Sequence, residues 1–234
     1  LFGDITYQLN EKVSVTGGLR YTRDSQDGVG QTQAKVLNFF SEPAPLFRSN
    51  ELHVVPAKDS WSKTTWKLGL IWDVADDRLV YLTASTGFRS GGFNFGQTDQ
   101  DKLYYEPEDL HTIELGSKNL FNDGRVKLNF SAFYYDYEDL QVFQLINDAA
   151  YVQNAAEAEI KGIETEFLFQ VSDQFQIDGH LSLLDATYKH FVSEDQVYPR
   201  GRDRIPFTGD VLFNLSGNDL VQAPDRSGLI GLSS

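Results

Sequence analysis

The sequence predicts an all-β protein: an antiparallel up-and-down wall of a transmembrane barrel. Three observations predict it. Runs such as Val126-Lys127-Leu128-Asn129-Phe130-Ser131-Ala132-Phe133-Tyr134 switch between apolar and polar at nearly every step, the period of a strand with two unlike faces. The gaps between such runs alternate in length. They are tight at Asn10 to Lys12, Asp73 to Asp77, Asn122 to Gly124 and Val171 to Gln174, and long at Arg23 to Ser60, Gly87 to Glu108, Asp136 to Glu159 and Thr187 to Arg226. Successive strands of such a sheet reverse direction, so tight turns share one rim and long loops the other. Outer-membrane barrels show this asymmetry, with short periplasmic turns and long extracellular loops. Finally, no apolar run approaches the roughly 20 residues that a membrane helix needs, so any membrane contact comes through strands.

Each strand can be justified in turn. Strand one, Phe2 to Leu9, sets Ile5, Tyr7 and Leu9 against Asp4, Thr6 and Gln8. Strand two, Val13 to Thr22, sets Val13, Val15, Leu19 and Tyr21 against Ser14, Thr16 and Arg20. Strand three, Trp61 to Trp72, collects Trp66, Leu68, Leu70 and Trp72 on one face. Strand four, Arg78 to Thr86, has two candidate lipid faces, Leu79-Tyr81-Thr83 and Val80-Leu82-Ala84. Strand five, Asp109 to Phe121, sets Ile113 and Leu115 against Glu114 and Lys118. Strand six, Arg125 to Tyr135, turns Val126, Leu128, Phe130, Ala132 and Tyr134 to lipid. Strand seven, Ile160 to Gln170, sets Ile163, Thr165, Phe167 and Phe169 against Glu164, Glu166 and Gln170. Strand eight, Phe175 to Tyr188, sets Phe175, Ile177, Leu181 and Leu183 against Gln176, Asp178, His180 and Ser182. A ninth begins near Ser227. Asn122-Asp123-Gly124 offers residues that tolerate positive φ, as a tight hairpin requires.

Composition narrows the class further. At 41% hydrophobic and 13% aromatic, the chain is no disordered polymer. A net charge of −14 argues against a nucleic-acid partner, whose phosphates call for a basic surface. No cysteine is present, which excludes disulfides and thiolate metal sites. No methionine is present, and both ends fall inside strand patterns, so the sequence reads as a fragment of a longer protein. Alternation by itself also fits a soluble sandwich. The regular tight-long rhythm of the gaps is what favours the barrel.

The long loops carry aromatics and arginines. Phe88, Arg89 and Phe93 share one loop with Tyr104 and Tyr105, and Arg200, Arg202 and Arg204 lie in another. Aromatic faces give flat apolar contact and guanidinium forks hold carboxylate or phosphate oxygens, so these eight residues form the candidate ligand site. A solvated rim or contact with lipopolysaccharide phosphates is the plainer explanation of the arginines. Glu114, Lys118, Glu164, Glu166, Asp178 and His180 fall on the face assigned to the lumen. Asp178, His180 and Ser182 share a strand face and give the one hint of a hydrolase. Alternate strand residues lie about 6.6 Å apart and do not converge, so this trio reads as ordinary lumen lining. No metal site or cofactor motif stands out.

Several segments resemble the barrel domain of TonB-dependent outer-membrane receptors. They are Ser85-Thr86-Gly87-Phe88-Arg89-Ser90-Gly91-Gly92-Phe93-Asn94; Tyr105-Glu106-Pro107-Glu108 followed by Ile113-Glu114-Leu115-Gly116-Ser117-Lys118; Asn154-Ala155-Ala156 with Ile160-Lys161-Gly162-Ile163-Glu164; and Leu215-Ser216-Gly217-Asn218 with Ala223-Pro224. Together, in order, they cover most of the chain. The resemblance implies a barrel of 22 strands, of which residues 1–234 would be an open fragment lacking the plug domain, the TonB box and the terminal strands. It implies uptake of a scarce ligand, most commonly a ferric siderophore, with plug displacement driven by TonB and no covalent chemistry. Implied partners are outer-membrane lipid and lipopolysaccharide, the receptor's own plug, the TonB complex and a small-molecule ligand. The lumen-facing charges would then meet the plug or simply line a wet interior. The rival functions are a membrane-embedded hydrolase and a small structural or adhesive barrel.

Overall fold

Asn122 and Asp123 take positive φ values of 55° and 54° and Gly124 one of 84°, so the predicted hairpin residues do turn the chain. Asp77, at 57°, does the same in the turn after strand three. The computed structural model describes residues 1–36, 49–95, 103–146, 149–194 and 212–233, and among these every regular element is a strand. In order they are β1 (Phe2–Asn10), β2 (Val13–Val36), β3 (Ser49–Ala75), β4 (Arg78–Arg89), β5 (Gly92–Phe93), β6 (Tyr104–Tyr105), β7 (Glu108–Phe121), β8 (Val126–Ile146), β9 (Ala149–Ser172), β10 (Phe175–Glu194), β11 (Leu212–Asn214) and β12 (Arg226–Ser233).

The main sheet runs β1-β2-β3-β4-β7-β8-β9-β10, each pair antiparallel and each neighbour next in sequence once the small β5–β6 hairpin is set aside. The far edge of β10 is covered by β11 above and β12 below. These two are halves of the expected ninth strand, interrupted by residues 215–225. The interruption stays attached to β10, because Tyr188 and Leu220 donate backbone N–H groups to Asn218 and Ala186. β1 and β12 do not meet, so the wall is open.

Several strands are longer than the alternation implied. β2 spans 24 residues, β3 27, β8 21, β9 24 and β10 20, where a membrane crossing needs about 9–11. The β2–β3 register continues without a shift from Val13↔Trp72 to Val36↔Ser49, through residues expected to be loop. Outside the lipid both faces meet polar surroundings. Stretches such as Thr22-Arg23-Asp24-Ser25-Gln26-Asp27 therefore lose the apolar alternation while keeping the pairing.

Register fixes the faces. Leu70, Leu82, Leu115, Ala132, Ile163 and Leu183 form one continuous cross-strand rung. Five of the six are large apolar residues between 41% and 53% exposed, as befits a surface turned to lipid. This rung settles β4: Val80, Leu82 and Ala84 face outward, and Leu79, Tyr81 and Thr83 face the lumen. The phases expected for β8, β9 and β10 hold, with Phe130, Thr165 and Leu181 in one outward rung and Asn129, Glu166 and His180 in one inward rung. The buried apolar residues lie elsewhere. Ala57, Trp61, Leu103, Ala156, Ala158, Ala186 and Phe191 all sit toward the rim opposite the tight turns, so the packed part of the molecule is its mouth.

Candidate ligand-binding mouth

After Arg89 the chain leaves the wall and doubles back as β5–β6, with Gly92 opposite Tyr105 and Phe93 opposite Tyr104. A Cβ on Gly91 would come within 2.8 Å of the Trp61 indole, so only glycine lets the backbone pass that close. By strand parity Trp61, Ala57, Gly28 and Gly30 belong to the inner face of the β2–β3 arm. The hairpin thus folds over the lumen side of the mouth.

Phe93 is the hub of an aromatic cluster. Its ring centroid lies 5.3 Å from Tyr104 in an edge-on arrangement, 5.8 Å from Trp61 and 5.6 Å from Phe95. Such geometries suit the opposite charges of ring face and ring edge. Phe95 rests on bare backbone: a Cβ on Gly30 would sit 2.5 Å from its ring, and one on Gly28 2.9 Å. Leu103, whose carbonyl accepts from the Asn94 N–H, is 1% exposed.

On the other side, polar side chains anchor the hairpin to the β8–β9 arm. The Asn94 carboxamide donates to the Val152 carbonyl and accepts from the Val152 N–H, both at 2.8 Å, as a neighbouring strand would. Gln141 donates to the carbonyls of Ser90 and Glu106, at 2.9 and 3.0 Å. Asn154 donates to the carbonyls of Glu106 and Asp139, both at 2.8 Å, and accepts from the Glu106 N–H at 2.7 Å. Close by, burial and then the charge of Glu108 hold the Tyr137 phenol above its usual range, so it stays protonated.

The candidate residues therefore separate. Phe93 and Tyr104 come together, with Tyr105 beside them. Arg89 is exposed at the end of β4, opposite Glu108 in register. Phe88 pairs with Asp109 on the outward face and does not join the cluster. Arg200, Arg202 and Arg204 lie outside the described residues. Trp61, Phe95, Asn94, Gln141 and Asn154 were not among the ligand-site candidates read from the sequence. One signal was there to be read: Gly28 and Gly30, two apart on one strand face, mark a slot for a ring.

Deeper in, the six lumen candidates line the inner wall, and several are partnered within it. Glu114 accepts from the Tyr81 hydroxyl, whose ring lies 5.9 Å from the Lys118 ammonium. Glu166 accepts from Lys127 at 2.8 Å and Asn129 at 3.0 Å. Glu164 accepts from Ser182 at 3.4 Å, and Asp178 from Gln176 at 3.3 Å. Asp178, His180 and Ser182 thus spread along β10, and Asp178 and Ser182 have separate partners. Tyr81, Glu114, Lys118, Glu164, Glu166 and His180 share a groove of about 690 Å³.

The architecture has a match. The family described as "TonB dependent receptor-like, beta-barrel" matches residues 1–233. The chain belongs to this family. Among curated relatives, the metal-pseudopaline receptor CntO of Pseudomonas aeruginosa (strain UCBPP-PA14) is 24% identical over 194 residues, covering 83% of this chain and 24% of the relative. The catecholate siderophore receptor Fiu of Escherichia coli O157:H7 is 22% identical over 222 residues, 90% of this chain and 28% of the relative. The chain thus spans about a quarter of the length of the curated relatives it matches. Among solved structures, the ferric yersiniabactin uptake receptor FyuA from Yersinia pestis superposes with a TM-score of 0.71 at 17% identity, over 99% of this chain and 30% of that one. At that identity the likeness speaks for the fold: the open wall is a sector of a TonB-dependent receptor barrel.

Proposed function

We propose that this chain forms part of the wall and mouth of an outer-membrane active-transport receptor that takes up a ferric siderophore, energised through TonB in the full-length protein. The observation that carries the reading is the inward-folded β5–β6 hairpin. It brings Phe93 and Tyr104, packed over the buried Trp61, to the lumen side of the mouth, where a barrel receptor has to capture what it imports. Aromatic faces suit the flat rings of a chelate, and Arg89, with Arg200, Arg202 and Arg204, would supply the cationic forks for its carboxylate or catecholate oxygens. Names among the relatives, which include a catecholate siderophore receptor and a metal-pseudopaline receptor, agree with that ligand class. The polar inner wall, Glu114, Lys118, Glu164, Glu166, Asp178 and His180, would face the plug domain. The outward apolar rungs would face outer-membrane lipid.

The test uses the full-length receptor. Replacing Arg89, Tyr104, Tyr105 and Arg202 together with Ala is expected to weaken ferric-catecholate binding by about tenfold or more, since buried aromatic and arginine anchors dominate binding energy. Heat-modifiable migration, which reports barrel assembly, should not change. Wild-type affinity and iron-dependent growth in that variant would remove the mouth from the mechanism.

A further inference from the structure

The interruption of the ninth strand builds a second cavity beside the hairpin. Residues 215–220 run along β10, where Leu215, Gly217 and Leu220 donate backbone N–H groups to the carbonyls of Phe191, Tyr188 and Ala186 at 2.8, 2.7 and 2.8 Å. Between this segment and the β8 arm lies a cavity of about 710 Å³, walled by Leu140, Phe143, Phe191, Phe213, Leu220 and Val221. Register sets it on the lumen side. Leu140 and Phe191 both pair with Ala156, and Tyr188 pairs with Ala158, on the same face of β9 as Glu164 and Glu166. The rings of Tyr188 and Phe191 pack together with centroids 4.7 Å apart. Phe143 and Val221 are left 69% and 80% exposed at the cavity. Large apolar side chains gathered this openly around a cavity mark a surface that binds something apolar.

The chemistry of this cavity differs from that of the hairpin side. Among its described lining residues the one charged group is Asp219, a carboxylate. An anionic chelate head would be repelled there, and would give up its water with no cation in return. A hydrocarbon group meets neither cost and gains by leaving water. Gln141 joins the two places: it lines the cavity and donates to the Ser90 and Glu106 carbonyls at the ends of the hairpin. A ligand whose head rests on Arg89, Phe93 and Tyr104 therefore has an apolar compartment next door for anything attached to it. We propose that this cavity binds a hydrocarbon tail, so that the ligand class of the receptor is a metal chelate bearing an acyl chain. The proposal rests on the siderophore reading above and adds the tail to it.

The experiment measures equilibrium binding to the full-length receptor in lipid nanodiscs, corrected for empty nanodiscs. The probes are ferric catecholates with one head and an acetyl, hexanoyl or decanoyl tail. Affinity should rise with tail length, by up to about fourfold for each methylene buried. Phe143→Ser with Val221→Glu, two exposed positions, should flatten that rise and leave the acetyl probe bound as before. Arg89→Ala should weaken all three probes by the same factor and keep the rise. Affinity independent of tail length in the wild type, or a rise unchanged in the Phe143→Ser, Val221→Glu variant, overturns the proposal while the siderophore reading stands. Self-association of the wild type that this variant abolishes would assign the surface to a second copy of the chain and also overturns it. Failure of every ferric catecholate to bind, with or without a tail, removes the siderophore reading and the tail site together.

Discussion

Asn94 holds two backbone groups of Val152 with one side chain. Truncating it to Ala leaves that N–H and carbonyl without those partners, a loss of about 1–3 kcal/mol. Hydrogen exchange at the Val152 amide in the full receptor should accelerate by about tenfold or more, while amides in the Leu128 to Ala132 stretch keep their protection. Gly30 offers a second check. Gly30→Val fills the slot under Phe95, and Phe95→Ala empties it from the other side, so each removes the same contact. The double variant should weaken ligand binding no more than the worse single variant, because residues in contact are not additive. Fully additive losses would mean that the two act separately. At this scale the sequence was only partly legible. Phe93 and Tyr104 stood out as loop aromatics, but Asn94 and Gln141 are ordinary polar residues whose value depends on what lies across the mouth, at separations of 58 and 51 residues.

Strand existence and order were legible because the lipid imposes a period of two on every crossing. Strand four was ambiguous because Leu79 and Tyr81 are as apolar as Val80 and Leu82. Tyr81 belongs to the lumen because its hydroxyl reaches Glu114, a partner on another strand. That assignment predicts an asymmetry. In the full receptor, Leu82→Arg should cost about 2–4 kcal/mol if the site lies near the bilayer midplane. Thr83→Arg, which pairs with Glu114 in register, should cost far less. Denaturant-dependent folding into bilayers measures both, and equal costs would reverse the phase of β4. The arms beyond the membrane were illegible for the opposite reason. Without lipid on one side there is no contrast between faces, although the hydrogen-bonded ladder continues to Val36↔Ser49 and Ile146↔Ala149.

The molecule as described is a curved wall with two edges, one on β1 and one on β12. Bare edges pair with whatever strand arrives. Its outward face also shows Leu68 at 56%, Leu115 at 53% and Ile163 at 52% exposure. The chain expressed alone in plain buffer should therefore aggregate, and sedimentation should show no monodisperse monomer. A well-behaved soluble monomer would mean that these residues close on themselves in some other way. The tight-turn rim was expected from the gap lengths, and the open wall from the resemblance to a 22-stranded barrel. The buried mouth was not, because packing there joins segments that share no local pattern.

Pairing between β9 and β10 stops at Phe191↔Ala156, so among the described residues β9 continues toward Ala149 with one side uncovered by any neighbouring strand of the wall. Asn94 occupies that side at Val152. It thereby does more than fasten a hairpin. Barrels crowd one another in an outer membrane, and an uncovered strand standing clear of the lipid would be a place for one receptor to zip onto the next. A single carboxamide laid across Val152 occupies two of the backbone groups that such a contact would use.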